Sequence, residues 1–391
     1  MNYRISPQAA ALSPSLTLAI DARAKQMKAE GLDVVGFGAG EPDFDTPQHI
    51  KDAAKKALDE GFTKYTPSSG IPELRQAIAD KFRRENGLTY KPSQIIVSCG
   101  GKHSCFNTVL ATCGPGDEVI IPAPYWLSYP EMVKLAGARP VIVPTTDATE
   151  FKLTPEQLRA AITDRTRLLI LNSPSNPTGT VYTPAELRAL GEVCLERDVL
   201  IMSDEIYEHL LYDGAVHQSM ASFSPAHYAH TIVVHGFAKA WSMTGWRLGF
   251  LAAPEPVAKA IDAIQSHSTS NPTSFAQKGA VAALTGPQDH LKVWLAEFAK
   301  RRSYAHQRLN AMPGITCVNA KGAFYLFPNI ARTGLKSTEF CARLLDEEKV
   351  AAVPGIAFGA DDYIRLSYAT SMTNIEKGLD RLERFVRRLV K

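Results

Sequence analysis

The sequence predicts an α/β protein that has a large domain with a mostly parallel β-sheet covered by helices, and a second, smaller α/β domain. Seven short runs rich in β-branched residues alternate with longer helical patterns through the middle of the chain, as expected of parallel strands joined by helices. The 391 residues are about two to three times a usual domain length, which favours two domains. Hydrophobic residues make up 45% and charged residues 21%, which indicates an ordinary globular protein rather than a disordered chain.

Local patterns place the elements in order along the chain. The predicted strands of the large domain lie at residues 95–98, 118–121, 140–143, 168–171, 199–203, 231–235 and 248–252. The helices predicted between them lie at residues 102–111, 130–136, 184–197 and 256–267. The two ends of the chain are predicted to hold a helix at 15–30, a turn-rich segment at 36–47, a long helix after Pro287 that runs through Asn310, strands at 323–327 and 363–367, and a closing helix at 374–390.

These patterns suggest a division into three parts. Residues 1–47 are expected to form an N-terminal arm and part of the small domain. Residues 48–285 are expected to form the large domain, which would bind the cofactor inferred below. Residues 286–391 are expected to form the small C-terminal domain.

The charge balance argues against nucleic-acid and membrane partners. The 43 basic and 40 acidic residues are spread along the chain and leave a net charge of +3. The apolar runs are too short to span a bilayer, and we expect no signal peptide because the N-terminus lacks the basic and apolar segments of one. Six cysteines form no CxxC pair, which favours a reduced, cytoplasmic setting over a disulfide framework.

Two glycine-containing segments resemble nucleotide-binding loops, but the spacing of their residues differs from that of such loops. In GFGAGE at residues 36–41, the third glycine comes one position early for a dinucleotide loop. Lys102 in GGKH is not the lysine of a nucleoside-triphosphate loop, because Ile96 stands where the first glycine should be and His103 follows the lysine. No HExxH or EF-hand pattern appears, so no metal is expected, and a nicotinamide dehydrogenase is disfavoured.

The segment GFAKAWSMTGWRLG at residues 236–249 is the strongest indication of chemistry. Lys239 follows a predicted buried strand and lies among small and apolar residues, and Arg247 comes eight positions later. A random pair of this kind is usually solvated, but a solvated lysine rarely follows a buried strand and precedes two tryptophans. Burial lowers the pKa of a lysine and makes its amine a usable nucleophile. The segment therefore predicts a reactive lysine at position 239.

This segment resembles the lysine signature of class I aminotransferases, which depend on pyridoxal 5′-phosphate (PLP). Further motifs match in the family's order along nearly the whole chain, and they are most similar to the bacterial aspartate aminotransferase branch, which includes aspartate/prephenate aminotransferases. The resemblance implies fold type I of the PLP-dependent transferases, with a large mixed, mostly parallel sheet domain and a smaller α/β domain. It also implies that Lys239 is the catalytic residue and forms a Schiff base with PLP.

Three segments match the residues that hold the cofactor ring in the family. SPSNPTG at residues 173–179 follows a predicted strand, and the resemblance implies that Asn176 bonds the ring oxygen. SDEIY at residues 203–207 ends another strand, where carboxylates of α/β sheets commonly face a ligand. The resemblance assigns Asp204 to the pyridine nitrogen, which needs an anionic partner, and Tyr207 to the ring hydroxyl. Trp126 matches the aromatic residue that stacks on the ring.

A further segment, SCGGK at residues 98–102, matches the phosphate site. Glycines at a helix start leave bare N–H groups for an anion, and we expect Gly101 and Lys102 to bind the cofactor phosphate together with Arg247. The family often has serines three and one positions before the cofactor lysine, where this chain has Gly236 and Ala238. This departure removes two hydroxyl donors, so the phosphate is expected to depend more on Arg247 and on backbone N–H groups.

The resemblance also implies a substrate site. Arg365, between two apolar residues, matches the arginine that binds the substrate α-carboxylate through its planar fork. Gly40 is expected to add a backbone N–H, with Trp126 and Asn176 also facing the substrate. Lys102 matches the position that binds the distal carboxylate of aspartate, glutamate or 2-oxoglutarate.

The sequence and the resemblance together predict an aminotransferase that moves an amino group between an L-amino acid, most of all aspartate or glutamate, and 2-oxoglutarate or oxaloacetate, with ping-pong kinetics. An aromatic amino acid or prephenate aminotransferase is the alternative, since Thr17 matches a position linked to prephenate use. A PLP-dependent β-lyase or a non-catalytic PLP-binding regulator is less favoured. Tyr65 matches the tyrosine that reaches the phosphate from the neighbouring subunit, which implies a homodimer with shared active sites.

Overall fold

A computed structural model describes residues 3–390, apart from the side chains at positions 18 and 21. Within this part of the chain the strands are β1 (Val35–Gly36), β2 (Ile95–Ser98), β3 (Glu118–Ala123), β4 (Arg139–Pro144), β5 (Thr166–Asn172), β6 (Leu200–Asp204), β7 (Thr231–Gly236), β8 (Gly249–Ala252), β9 (Tyr325–Leu326), β10 (Val350–Ala351), β11 (Val353–Pro354) and β12 (Ile364–Ser367). The α-helices are α1 (Pro7–Ala10), α2 (Leu16–Ala29), α3 (Gln48–Asp59), α4 (Pro72–Asn86), α5 (Gly101–Thr112), α6 (Ser128–Leu135), α7 (Pro155–Ala161), α8 (Pro184–Glu196), α9 (Pro225–His230), α10 (Glu255–Ser266), α11 (Ser274–Thr285), α12 (Asp289–Asn310), α13 (Ser337–Glu348) and α14 (Met372–Leu389).

The central element is a seven-stranded sheet in the order β2-β8-β7-β6-β5-β3-β4. Strand β8 is antiparallel to both of its neighbours, and the other neighbouring pairs are parallel. All seven strands predicted for the large domain are confirmed, and so is the mixed, mostly parallel α/β fold. The parallel strands place Asn172 opposite Asp204 at the carboxyl ends of β5 and β6, where polar groups of neighbouring strands meet.

Apolar side chains cover both faces of this sheet. Alternate residues of β7 point to opposite faces: Val233 packs in the cluster that contains Phe82 of α4, while Ile232 packs in the cluster that contains Val109 of α5. Strands buried on both faces are apolar at most positions, which explains the apolar runs in the sequence. The buried sheet gives the residues at its carboxyl edge a rigid base.

A smaller sheet forms in the C-terminal third. Strands β11, β12 and β9 pair antiparallel, and helices α12, α13 and α14 cover them with a second apolar cluster. Strand β1 pairs in parallel with β10, so that Val35 lies opposite Val350. The sequence predicts only turns at residues 36–47 and does not predict β1, because a strand of two residues carries too little pattern to be recognised. This pairing brings the segment after β1 next to the large sheet.

None of the described helices is long and apolar enough to cross a membrane.

Candidate active site

A cavity of about 410 Å³ opens at the carboxyl ends of β5, β6 and β7. It is closed on the other side by the segment that follows β1 and by residues of the small sheet. Eleven of the residues singled out from the sequence line it: Thr17, Gly40, Gly101, Lys102, Trp126, Asn176, Asp204, Tyr207, Lys239, Arg247 and Arg365. Positions more than 300 residues apart in the chain therefore converge on one site, between the two sheets.

Asp204 ends β6 with its carboxylate buried in the wall of the cavity. Its Oδ2 accepts a hydrogen bond from the Tyr129 hydroxyl at 2.6 Å and lies 3.8 Å from the Cys105 thiol, and its Oδ1 accepts from the backbone N–H of Ile206 at 3.3 Å. Burial raises the pKa of this carboxyl group above its ordinary value. Because the described residues supply only neutral donors, the site is suited to a ligand that brings a positive charge to Asp204.

Lys239 lies on the loop that follows β7. Its Nζ donates to the carbonyl of Gly40 and stands over the rings of Tyr207 and Phe324, 5.7 and 5.6 Å from their centroids. Burial, together with the positive charge of Arg365, lowers the pKa of Lys239 to about 8. A substantial fraction of the amine is therefore neutral near neutral pH, as a nucleophile or general base requires.

Arg365 on β12 is 2% exposed. Its Nη1 donates to Asn176 Oδ1 at 3.0 Å and its Nη2 donates to the carbonyl of Gly38 at 2.8 Å, while the guanidinium lies 4.5 Å from the centroid of the Tyr325 ring. Its Nε is buried and has no hydrogen-bond partner among the described residues. A buried cation that lacks a carboxylate partner in the described part of the chain fits an anionic ligand.

The turn into α5 forms a cradle beside Arg247. Gly100 has a φ of +92°, and a Cβ atom at this position would lie 2.6 Å from Nη2 of Arg247, so only glycine lets the guanidinium approach the turn. Gly249 is packed so closely that a Cβ atom there would overlap the backbone of Gly101. Arg247 itself has a φ of +55°, a strained conformation for a non-glycine residue. The first N–H groups of α5 and this guanidinium suit a phosphate.

Lys102, in the first turn of α5, is exposed at the mouth of the cavity. Its Nζ lies 5.1 Å from the centroid of the Trp126 ring, and partial burial together with Arg247 lowers its pKa. Thr17 on α2 faces the same region, and its Oγ1 is buried without a hydrogen-bond partner among the described residues. A cation and a hydroxyl without a hydrogen-bond partner among the described residues thus both line the cavity.

Two tyrosines of the site are not predicted from the sequence. Tyr129 bonds Asp204, and Tyr325 on β9 lies with its hydroxyl 2.9 Å from the hydroxyl of Tyr207. The only local signal for Tyr129 is its position three residues after Trp126. Nothing in the local pattern marks Tyr325, since it is one of several aromatic residues in its strand.

Tyr129→Phe is expected to lower kcat about tenfold, because the buried Asp204 carboxylate loses a hydrogen-bond donor that stabilises its charged form. Tyr182→Phe is the matched control: Tyr182 is equally buried, and its hydroxyl accepts a 2.7 Å hydrogen bond from the backbone of Leu153 away from Asp204. The measurement is kcat for amino transfer in both variants. Equal kcat values would show that Tyr129 has no specific effect on Asp204.

Tyr65 does not line the cavity. It lies on the loop after α3 and its side chain is 91% exposed. The suggested role of this residue in a neighbouring subunit stays a prediction.

The residues present fit PLP, whose parts are an aldehyde, a phosphate and a pyridine nitrogen. Lys239 can attach the aldehyde, the cradle of Gly100 and Arg247 can bind the phosphate, and the buried Asp204 carboxylate can pair with a protonated nitrogen. Each of these three parts of PLP thus has a residue in the cavity that can bind it. The buried Arg365 can bind a carboxylate in addition.

A mixed α/β sheet with a reactive lysine, a buried acid and an anion cradle at its carboxyl edge defines an enzyme that handles anionic small molecules. The chain belongs to the family described as aminotransferase class I and II, whose family model matches residues 32–382. The aminotransferase activity expected from the sequence is therefore confirmed. A nicotinamide dehydrogenase and a non-catalytic regulator are not supported.

Relatives agree over nearly the full length. The chain is 53% identical to an aspartate aminotransferase of Geobacillus stearothermophilus over 388 residues, which cover 98% of this chain and 99% of the relative. It is 50% identical to an aspartate/prephenate aminotransferase of Cereibacter sphaeroides, with 97% and 98% covered. Among solved structures, it is similar to an aspartate aminotransferase from Rhizobium meliloti with a TM-score of 0.95 and 43% identity, covering 99% of this chain and 100% of that one.

Proposed function

We propose that this aminotransferase uses PLP to move an amino group between aspartate or glutamate and the 2-oxo acids 2-oxoglutarate or oxaloacetate. The observation that carries the proposal is the convergence of Lys239, Asp204 and Arg365 on one cavity. Relatives at 53% and 52% identity that are named aspartate aminotransferases support the choice of substrate. Their names do not exclude prephenate or an aromatic amino acid as a further substrate.

The residues that would hold the cofactor follow from the site. Lys239 would bind it covalently, and Gly101, Lys102 and Arg247 would bind its phosphate. Asn176, Asp204 and Tyr207 would contact the ring and Trp126 would stack on it. When bound, PLP supplies an electron-withdrawing ring that makes the proton at the substrate Cα acidic.

The protein's own groups carry out the remaining steps. Arg365 binds the α-carboxylate of the substrate with two parallel hydrogen bonds and, with the backbone N–H of Gly40, fixes its orientation. Lys239 would take the proton from the substrate Cα as general base and later give a proton back as general acid. The negative charge of Asp204 would favour a protonated pyridine nitrogen in the bound cofactor. One substrate leaves before the second binds, so ping-pong kinetics are expected.

The pH dependence of cofactor capture follows from the lowered pKa of Lys239. Only the neutral amine attacks an aldehyde, so the rate of PLP capture by the apo-protein is expected to rise with pH and level off above about 8, rather than near the ordinary lysine value of 10.5. The appearance of the visible absorbance band, followed from about pH 6 to about pH 10, measures this rate. A rate that still increases tenfold per pH unit at the upper end would contradict the assignment.

Lys102 is proposed to bind the distal carboxylate of dicarboxylic substrates. Lys102→Ala is expected to raise KM for aspartate and 2-oxoglutarate roughly tenfold or more, because a hydrogen bond to a charged group contributes about 1.5–3 kcal/mol. The KM for phenylalanine, which has no distal charge, is the control and should change much less. Equal changes for both substrate types would refute this role and leave the lysine as a phosphate ligand only.

A survey of half reactions tests the proposed function. The PLP form is mixed with aspartate, glutamate, tyrosine, phenylalanine and arogenate in turn, and the loss of the visible band is followed in a single turnover. The proposal expects aspartate and glutamate to react fastest. The fastest reaction with an aromatic amino acid or arogenate would favour the alternative function, and elimination of a substrate side chain would favour a β-lyase.

We also propose that two copies of the chain form a homodimer in the cytoplasm, with Tyr65 of one copy contacting the cofactor phosphate bound to the other. The exposed position of Tyr65, outside the cavity of its own chain, agrees with this arrangement. Sedimentation of the wild type and PLP affinity of Tyr65→Phe test the two parts of this proposal separately.

A further inference from the structure

A second group of titratable side chains is buried beside the cavity and takes no part in the function proposed above. We call it the Glu208 cluster; its members are Lys81, Glu205, Glu208, His217 and His235. Glu205 comes directly after Asp204, and Glu208 comes directly after Tyr207. Each acid of the cluster is therefore one peptide bond away from a residue that lines the cavity.

The Glu208 carboxylate is the centre of this cluster. Its side chain is 4% exposed and forms an ion pair with the fully buried Nζ of Lys81, which belongs to α4. The Asn86 amide donates to its other oxygen at 2.9 Å, and His217 Nε2 lies 3.5 Å from it and 3.0 Å from Glu205. Burial alone would raise the pKa of Glu208, but Lys81 holds that pKa well below its ordinary value.

His235 connects Glu208 with the segment that carries Lys239. It lies on β7, four positions before Lys239, and its Nε2 is 2.9 Å from Glu208 Oε1. Its Nδ1 accepts a 2.7 Å hydrogen bond from the N–H of Gly236, and its ring stacks on Phe250 of β8 with 5.0 Å between the centroids. The Glu208 carboxylate therefore lies in contact with the end of β7 through this imidazole, whose Nε2 has no aligned hydrogen-bond partner among the described residues.

The two segments joined by this cluster meet again inside the cavity. One follows β6 and carries Asp204 and Tyr207, and the other follows β7 and carries Lys239. Lys239 Nζ stands 5.7 Å from the centroid of the Tyr207 ring. A displacement of about 1 Å between reacting groups is enough to lower a rate 10²-fold.

We propose that Glu208 is a positioning residue for amino transfer, whose carboxylate fixes the Lys239 segment against the segment that carries Asp204 and Tyr207. This inference rests on the proposed function. It assigns a role to a group of side chains that touch neither substrate nor cofactor. The charged groups that face Glu208 within the described chain are Lys81, His209, His217 and His235, with Glu85 3.6 Å from Lys81.

Glu208→Gln keeps the shape of the side chain and removes its charge. In the holoenzyme, kcat is expected to fall about tenfold or more while KM for aspartate changes little, because binding groups stay in place and the base moves relative to the ring. The pH midpoint of the visible band is expected to shift downward, since the charge of Lys81 is then less balanced and favours the neutral form of the Lys239 nitrogen.

Glu118→Gln is the matched control. Glu118 is a buried glutamate at the start of β3, at the amino edge of the same sheet, and its carboxylate accepts from Arg139 and the Thr163 hydroxyl at 2.6 and 2.8 Å. This variant should lose some thermal stability, because Glu118 no longer pairs with Arg139 and Arg165, and keep the wild-type kcat and pH midpoint.

The proposal would be overturned if the Glu208→Gln variant lost stability but kept the wild-type kcat and the wild-type pH midpoint of the visible band. Glu208 would then have only a structural role. If Glu208→Gln fails to fold, His235→Asn is the second test, because it leaves the ion pair between Lys81 and Glu208 intact. A lowered kcat at unchanged KM in His235→Asn would support the proposal. A wild-type kcat would overturn it. A wild type that forms no visible band with PLP would refute the proposed function instead, without regard to Glu208.

Discussion

Replacing Lys239 with alanine is expected to lower kcat for amino transfer by roughly 10⁴-fold. The variant loses both the amine that attaches the cofactor and the base that moves the Cα proton, and nothing else in the described part of the cavity supplies a neutral amine. Lys102 is too exposed to replace it, and its Nζ lies over Trp126 rather than over Tyr207. The measurement is kcat at saturating aspartate and 2-oxoglutarate.

Lys152→Ala is the control for this variant. The Lys152 side chain is largely buried and pairs with Glu150 and Glu186, outside the cavity. It should keep the wild-type kcat. A Lys239→Ala enzyme with a kcat within about tenfold of the wild type would rule out Lys239 as the catalytic residue.

Arg365→Met is expected to lower kcat/KM by roughly 10²- to 10⁴-fold for every amino acid substrate. The loss corresponds to two hydrogen bonds between charged groups, at about 1.5–3 kcal/mol each. The thermal stability should stay the same or increase, because the wild-type guanidinium is buried, its Nε is unsatisfied, and burial lowers its pKa. A large loss of activity without a loss of stability is the signature of a residue kept for binding.

Arg302→Met provides the contrast. Arg302 is a buried arginine of α12 whose two Nη atoms each lie 2.7 Å from an oxygen of Asp213. Its replacement should lower stability and leave kcat/KM unchanged. If Arg365→Met behaved in the same way as Arg302→Met, the buried arginine of β12 would be structural and the carboxylate site would lie elsewhere.

The sequence is sufficient to predict the central sheet, because strands buried on both faces are apolar at most positions. It is less informative about α11, which is buried on most sides and so lacks the alternation of polar and apolar residues that marks a surface helix. The pairing of β1 with β10 depends on a contact between residues more than 300 positions apart. No local pattern carries that information.

The site residues that were predicted are marked by a local pattern, and those that were missed depend on contacts between distant parts of the chain. Lys239, Asp204 and Arg365 stand out because charged residues are rare at the ends of, or within, buried strands. Tyr129 and Tyr325 act through partners that are 75 and 118 positions away in the chain. Tyrosine is also common in protein cores, so only the folded chain shows that these two hydroxyls contact Asp204 and Tyr207.

The central claim is that Lys239 binds PLP through an imine. The holoenzyme is reduced with borohydride and digested, and the peptides are mapped by mass spectrometry. The account predicts a reduced pyridoxyl group on the peptide that contains Lys239, and an unmodified peptide when the protein is saturated with aspartate before reduction. A pyridoxyl group on Lys102 or on another lysine, with the Lys239 peptide unmodified, would contradict it.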